Sequence, residues 1–251
     1  MATPRERITL ITHGDLAVHN PLALADLEAA LAHAPLGPGD RAVDIGCGTG
    51  ELLLSLADRT GAGGLGVDAS EPAIERAREA ARARGLDGRV DFVAGDAAAL
   101  DAARGAFALA ACVGSTHALG GLEPTARRLA ELLAPGGHAL IADGYWRREP
   151  DPAYLEALGA TRDELPDWAG LMRTAAVPGL RAVWASVASQ ADWDRYEWTL
   201  IANGERWAAE HADDPAAPDV LAWVDSARER LLAPGGRDTI GFGLALLRRT
   251  D

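Results

Sequence analysis

The stretch VDIGCGTG, residues 43–50, carries an apolar strand straight into glycines at 46, 48 and 50, and the helix-forming run ELLLSLADR follows at once. Glycines at a strand-to-helix turn let the backbone pass close beneath a ligand, because no Cβ stands in the way. Their spacing is G-x-G-x-G, where a dinucleotide fingerprint has G-x-G-x-x-G, and acidic Asp44 lies just before the loop. A turn of this kind also occurs in open sheets that hold nothing, so its neighbours decide its meaning.

Outward from the loop, short apolar runs alternate with helical patterns. Residues 41–45, 64–67, 89–94, 107–113 and 138–142 read as strands, with helices such as 71–84 and 125–133 between them. Strands apolar on both faces and alternating with helices predict a parallel sheet covered on both sides. PLGPGD before Arg41, and LLAPGG before His138 and again before Arg237, read as helix, tight turn, strand. Beyond residue 142 the segments 151–159, 163–176, 190–211 and 218–232 look helical, and the apolar runs 182–187 and 240–247 are candidates for two further strands. Ahead of the first strand, 21–34 reads as a helix with Asn20 as N-cap and Pro21 at its first position.

Thirty-seven acidic against 24 basic side chains leave a net charge of −13 over 251 residues. A field of that sign repels phosphate backbones and anionic lipid, which argues against nucleic acid and membrane as partners. All 24 basic residues are Arg, so lysine Schiff-base and P-loop chemistry are excluded. Cys47 and Cys112 form no CxxC pair, and no apolar leader or membrane-spanning run is read, so reduced thiols in a cytoplasmic protein are expected.

The second strand ends in Asp68, eighteen residues past Gly50, where a carboxylate can take both hydroxyls of a ribose lying across the strand ends. Just beyond the third strand stands Asp96, placed to accept from an adenine amino group. Each of these two alone reads equally well as a helix N-cap. Three successive strand ends with matching groups point instead to an adenosine-type ligand.

On these residues the sequence resembles the class I S-adenosylmethionine-dependent methyltransferases of bacterial small-molecule type, over about residues 41–142. VDIGCGTG resembles their first motif, Asp68 their acidic residue ending the second strand, and Gly95-Asp96-Ala97 the motif after the third. The resemblance implies an α/β Rossmann-like fold: a mostly parallel seven-stranded sheet, helices on both faces and a helical insertion after the fifth strand. It implies S-adenosylmethionine as cofactor and S-adenosylhomocysteine as product. Cofactor contacts would come from Asp44, Gly46, Cys47, Gly48 and Gly50 around the methionine part, from Asp68 and Ala69 at the ribose, from Gly95, Asp96 and Ala97 near the adenine, and from Val113 and Gly114. The chain is then one methyltransferase domain, 1–251: an N-terminal helical segment over the cofactor to residue 40, a cofactor-binding core 41–144, helical acceptor-binding additions 145–235, and a last strand within 236–251.

In the resembled fold the loop CVGSTHALGG, residues 112–121, faces the transferred methyl. Ser115 and Thr116 are its candidate acceptor-binding groups, and His117 the candidate base, since imidazole suits proton removal near neutral pH. The loop lacks the Asn/Asp-Pro-Pro-aromatic signature of N-methyltransferases acting on DNA, RNA and protein amides. That turns the expectation toward a small-molecule O-, N- or S-nucleophile methylated by in-line displacement. His19-Asn20-Pro21, the GSTHA-type loop, Asp192-Trp193 and Tyr196-Glu197 are similar to a bacterial small-molecule subgroup.

Along 191–210, Trp193, Tyr196, Glu197, Leu200, Asn203, Gly204 and Trp207 fall at three- and four-residue steps on one helix face. That face reads either as core packing or as a lid, with Tyr196 and Glu197 as catalytic candidates and Tyr145, Trp146 and Trp193 lining the acceptor pocket. His13 and His19, even with Asp15 or His117, lack a metal-ligand spacing, so no metal is expected and the two histidines are read as closing the methionine end against the acceptor. Two other readings are a cofactor-binding protein without catalysis and a nicotinamide-dependent oxidoreductase. The second is opposed by the glycine spacing and by the lack of a Tyr-x-x-x-Lys pair. Whether the helical half builds a homodimer is left open.

Overall fold

A computed structural model describes residues 3–14 and 16–251, so Asp15 lies outside the described residues. Seven strands form one sheet: β1 (Arg41–Ile45), β2 (Gly63–Asp68), β3 (Val90–Ala94), β4 (Phe107–Val113), β5 (Leu133–Trp146), β6 (Leu180–Val187) and β7 (Ile240–Arg249). Their order is β3-β2-β1-β4-β5-β7-β6, with β7 antiparallel to both of its neighbours and the first five strands parallel. The order reverses between β1 and β4, and in open α/β sheets the crevice beyond the strand ends at such a point is where ligands bind.

Alternation along the strands sends successive side chains to opposite faces. Ala42, Leu109, Leu140 and Leu244 pack with α2 (Leu24–Leu31), α3 (Glu51–Thr60) and α4 (Glu71–Ala83). Val43, Ala110, Ile141 and Ala245 pack on the other face with α5 (Leu122–Leu132) and α7 (Trp168–Ala175). A short α6 spans Pro152–Leu158. The long α8 (Gln190–Glu210) and α9 (Ala217–Leu232) share a separate cluster built on Ile201, Val224, Ala227 and Leu231. Gly204 is required there, since a Cβ on it would run into Val224. No helix among the described residues is long and apolar enough to cross a membrane.

Three local expectations are corrected, and one helix is added. The helix read over 21–34 is only α2, capped at Ala23 by the Asp26 carboxylate; Asn20 instead accepts from the Leu22 amide at 3.0 Å in a turn that Pro21 opens. The helix read over 163–176 is split, because Pro166 has no amide to donate and Asp167 starts α7 afresh by accepting from Gly170 at 2.6 Å. LAPGG before His138 already belongs to β5: the pairing shifts from Phe107↔Leu133 to Leu109↔His138, so the extra residues form an irregularity inside the ladder. Finally, α1 (Pro4–His13) begins at a capping box in which Thr3 and Glu6 each receive the other's backbone amide.

α1 is docked on α8 by Asn203, whose Nδ2 donates to the carbonyl of fully buried Thr12 at 2.9 Å. Asn203→Ala leaves that carbonyl unpaired and is expected to lower stability by about 1–2 kcal/mol. A urea transition with lower midpoint and unchanged slope checks this; an unmoved midpoint means the contact does not hold α1 in place.

Candidate active site

The glycine loop is tied to the end of β2. Gly46 and Cys47 donate to the Val67 carbonyl at 2.8 and 3.1 Å, and Gly48 donates to Asp68 Oδ2 at 2.8 Å. All three loop glycines have positive φ, between 54° and 81°. A Cβ on Gly46 would collide with Ser115, and one on Gly48 would fill the gap toward His19 Nδ1, 3.8 Å away. Gly50 lies behind the loop: a Cβ there would meet the Phe92 ring at 2.5 Å, so this glycine lets α3 close on the sheet and lines neither cavity.

Two adjoining cavities share Gly46, Asp68 and Ser115. The inner one, about 170 Å³, is bounded by the glycine loop, Asp44, Glu51, Val113, Gly114 and the segment 17–20. The outer one, about 370 Å³, is bounded by Ala69, Gly95, Asp96, Ala97, His117 and Ala118. Asp68 stands where they meet. Its oxygens accept from Gly48 and, at 2.9 Å, from Ser70, and each keeps a second lone pair. Asp96 uses one oxygen to accept from Ala98 at 2.9 Å and is otherwise exposed.

Asp44 is the unusual group. It is 3% exposed, and its Oδ1 has no hydrogen-bond partner among the described residues. Its strand neighbours are small, Gly66 on β2 and Ala111 on β4. Burial, helped by the nearby Asp68 charge, pushes its carboxyl up to about 7. The same burial and the two carboxylates keep the Cys47 thiol protonated. An orphaned carboxylate, two further acids and a loop with no Cβ fit a ligand that is cationic at this end and has hydroxyls to offer Asp68. They do not fit a pyrophosphate.

Other candidates go elsewhere. His117 is exposed beside Asp96 and Ala97, at the outer cavity rather than over the inner one. Thr116 is buried, its hydroxyl donated to Asp143. Tyr145 packs against Trp168 with ring centres 5.4 Å apart, and Trp146 donates to the Arg162 carbonyl at 2.8 Å; both are buried. Trp193 rests on the core of the α2–α4 face. Glu197 lies on the side of α8 nearest Tyr154 and Arg230, its carboxyl raised by burial and opposed by Arg230. Its neighbour Tyr196 meets the N-terminal segment instead, with its hydroxyl 2.9 Å from His13 Nε2 and 3.3 Å from the His19 carbonyl. The sequence reading missed Thr49, Glu51 and Asn20 as cavity walls. Thr49 and Glu51 follow from continuing the glycine loop into the first turn of α3.

The profile of a family described as "Methyltransferase domain" matches residues 42–137. "Uncharacterized protein YjhP" of Escherichia coli (strain K12) is 33% identical over 247 residues, 97% of this chain and 98% of that protein. A crystal structure of an S-adenosylmethionine-dependent methyltransferase from Geobacter sulfurreducens, in complex with S-adenosyl-L-homocysteine, superposes with a TM-score of 0.87 at 33% identity, covering 97% of this chain and 98% of that one. The 27-O-demethylrifamycin SV methyltransferase of Amycolatopsis mediterranei is 35% identical over 123 residues, 49% of this chain and 44% of the relative.

Folded, the chain keeps the Asp44 proton up to about 7; unfolded, it releases it near 3.8. The folded state therefore holds an extra proton between those values, and stability without ligand is expected to fall as pH rises through that window. Asp44→Asn removes the slope. Urea midpoints measured from pH 4 to 7 check this, and equal slopes in both proteins refute the burial argument.

Proposed function

The chain belongs to the class I S-adenosylmethionine-dependent methyltransferase family, and we propose that it methylates a small molecule held between the strand ends and the N-terminal and helical cover. The observation that carries this reading is the cover itself: residues 17–20 wall the inner cavity, and the His19 ring rests beside His13, which the Tyr196 hydroxyl ties to α8. A cover of this kind over a cavity of about 170 Å³ favours a small acceptor over a polymer chain. Three carboxylates, Asp44, Glu51 and Asp68, line it, which disfavours phosphate-bearing acceptors. The relative from Amycolatopsis mediterranei is named for a discrete compound as its substrate, which supports the same class. Two free thiols, Cys47 and Cys112, support a reducing, cytoplasmic setting.

When bound, S-adenosylmethionine supplies an activated methyl on a positively charged sulfur. Asp44 meets the cationic methionine end and there loses the cost of its unpaired burial. Asp68 takes the ribose hydroxyls with its spare lone pairs, while Asp96 and the Ala97 backbone hold the adenine. Val113, Gly114 and Ser115 set the distance of approach, and the 17–20 segment keeps water away, which is most of what an in-line displacement requires of a protein.

Asp68→Ala is expected to weaken S-adenosylhomocysteine binding by about ten- to a hundredfold, as loss of a charge-assisted hydrogen-bonding pair does. Titration calorimetry checks it, and unaltered affinity would place the ribose elsewhere. With methyl-labelled S-adenosylmethionine and a bacterial extract, label should pass to the low-mass fraction; label confined to protein, DNA or RNA overturns the acceptor class.

A further inference from the structure

His19 lines the inner cavity, and behind it stand His13 and Tyr196, in contact although 183 residues separate them. His13 Nδ1 lies 2.8 Å from the Thr9 carbonyl, so that nitrogen carries the hydrogen and donates it. Nε2 is left as an acceptor and takes the Tyr196 hydroxyl at 2.9 Å. The rings of His13 and His19 stand 4.7 Å apart, and the Tyr196 hydroxyl also touches the His19 carbonyl. His19 is thus held from two sides, with Nδ1 directed at the glycine loop and Nε2 buried without a partner among the described residues.

The charges around this ring are unequal. Asp44, Glu51 and Asp68 share its cavity, with Glu51 paired to Arg84, the C-cap of α4, at 2.6 Å. His13 on α1, Tyr196 on α8 and the Cys47 thiol are neutral neighbours, and Arg76 on α4 is the cation that acts on it. Burial, then His13 and Arg76, bring His19 down to about 4 against a pull from the Leu16 carbonyl, so the free imidazole is a neutral base. Beside a positively charged sulfur a proton on His19 would be a second cation. Once the sulfur is neutral that repulsion is gone, and a proton on His19 faces the Asp44 and Asp68 wall alone.

We propose that His19 is the catalytic proton acceptor, with His13 and Tyr196 as its positioning residues, so that the positive charge leaving sulfur reappears on the imidazole. The inference rests on the small-molecule reading and sharpens it: the acceptor is a hydroxyl or amine that still bears its proton. Its X–H bond breaks and the proton passes to His19, the X–C bond forms, and the S–CH₃ bond breaks with its electron pair kept by sulfur. The cavity's charge is then the same before and after. An anionic acceptor would instead face three carboxylates with no proton to give.

The test that needs no acceptor is a pH titration of the histidine ring resonances by NMR in the S-adenosylmethionine and S-adenosylhomocysteine complexes. Six histidines make assignment by His19→Gln and His13→Gln straightforward. Proton affinity at His19 should be at least about tenfold higher in the homocysteine complex. Equal affinities in the two complexes overturn the charge exchange. In turnover on the low-mass extract, His19→Gln should bind S-adenosylhomocysteine within about threefold of the parent yet lose about a hundredfold in kcat. A variant with ordinary kcat removes His19 from the chemistry. No labelled small product from the parent enzyme rejects the acceptor reading instead, and the NMR comparison then decides the charge exchange by itself.

Discussion

A carboxylate cut off from water and lacking a donor on one oxygen is expensive to fold around, and Asp44 is such a group. An Arg beside it would remove the cost and with it the attraction for a cationic ligand. The chain instead surrounds it with small neighbours, Gly66 and Ala111, and with a second acid, Asp68. The strand reversal, the loop without Cβ atoms and the Asp68 carboxylate are all arranged about this one unsatisfied group. Binding energy is thereby stored in the empty protein as a local instability.

Much of this was legible in the sequence because it depends on residues whose direction is fixed by a strand end. Asp44 stands next to the end of β1, Asp68 ends β2 and Asp96 lies just past β3, and parallel strand ends point one way. The Geobacter sulfurreducens structure and the relatives agree with the family and fold read from that pattern. Gly50 shows where motif reading overreaches: it looks like its two companions, yet it serves the seat of α3 against Phe92.

Side chains on short turns were not legible. Ser115 leads into a 3-10 turn, Thr116–Leu119, which turns Thr116 inward to Asp143 and His117 outward, and no periodicity distinguishes the two. Tyr196 and Glu197 look like a pair in sequence, but consecutive residues on α8 point about 100° apart. Only the path of residues 12–20 decides which of them meets the N-terminal segment, and that path is set by tertiary contacts such as Asn203 with Thr12. The Thr3 and Glu6 capping box was a readable sign of α1.

The cluster of Ile201, Val224, Ala227 and Leu231 shares no member with the two cores that sandwich the sheet. Changes within it are felt by α8 and α9 before they reach the strand ends. The sheet with its glycine loop and the α8–α9 pair are thus separable in evolution: descendants can remodel the pair while leaving the strand-end seat intact.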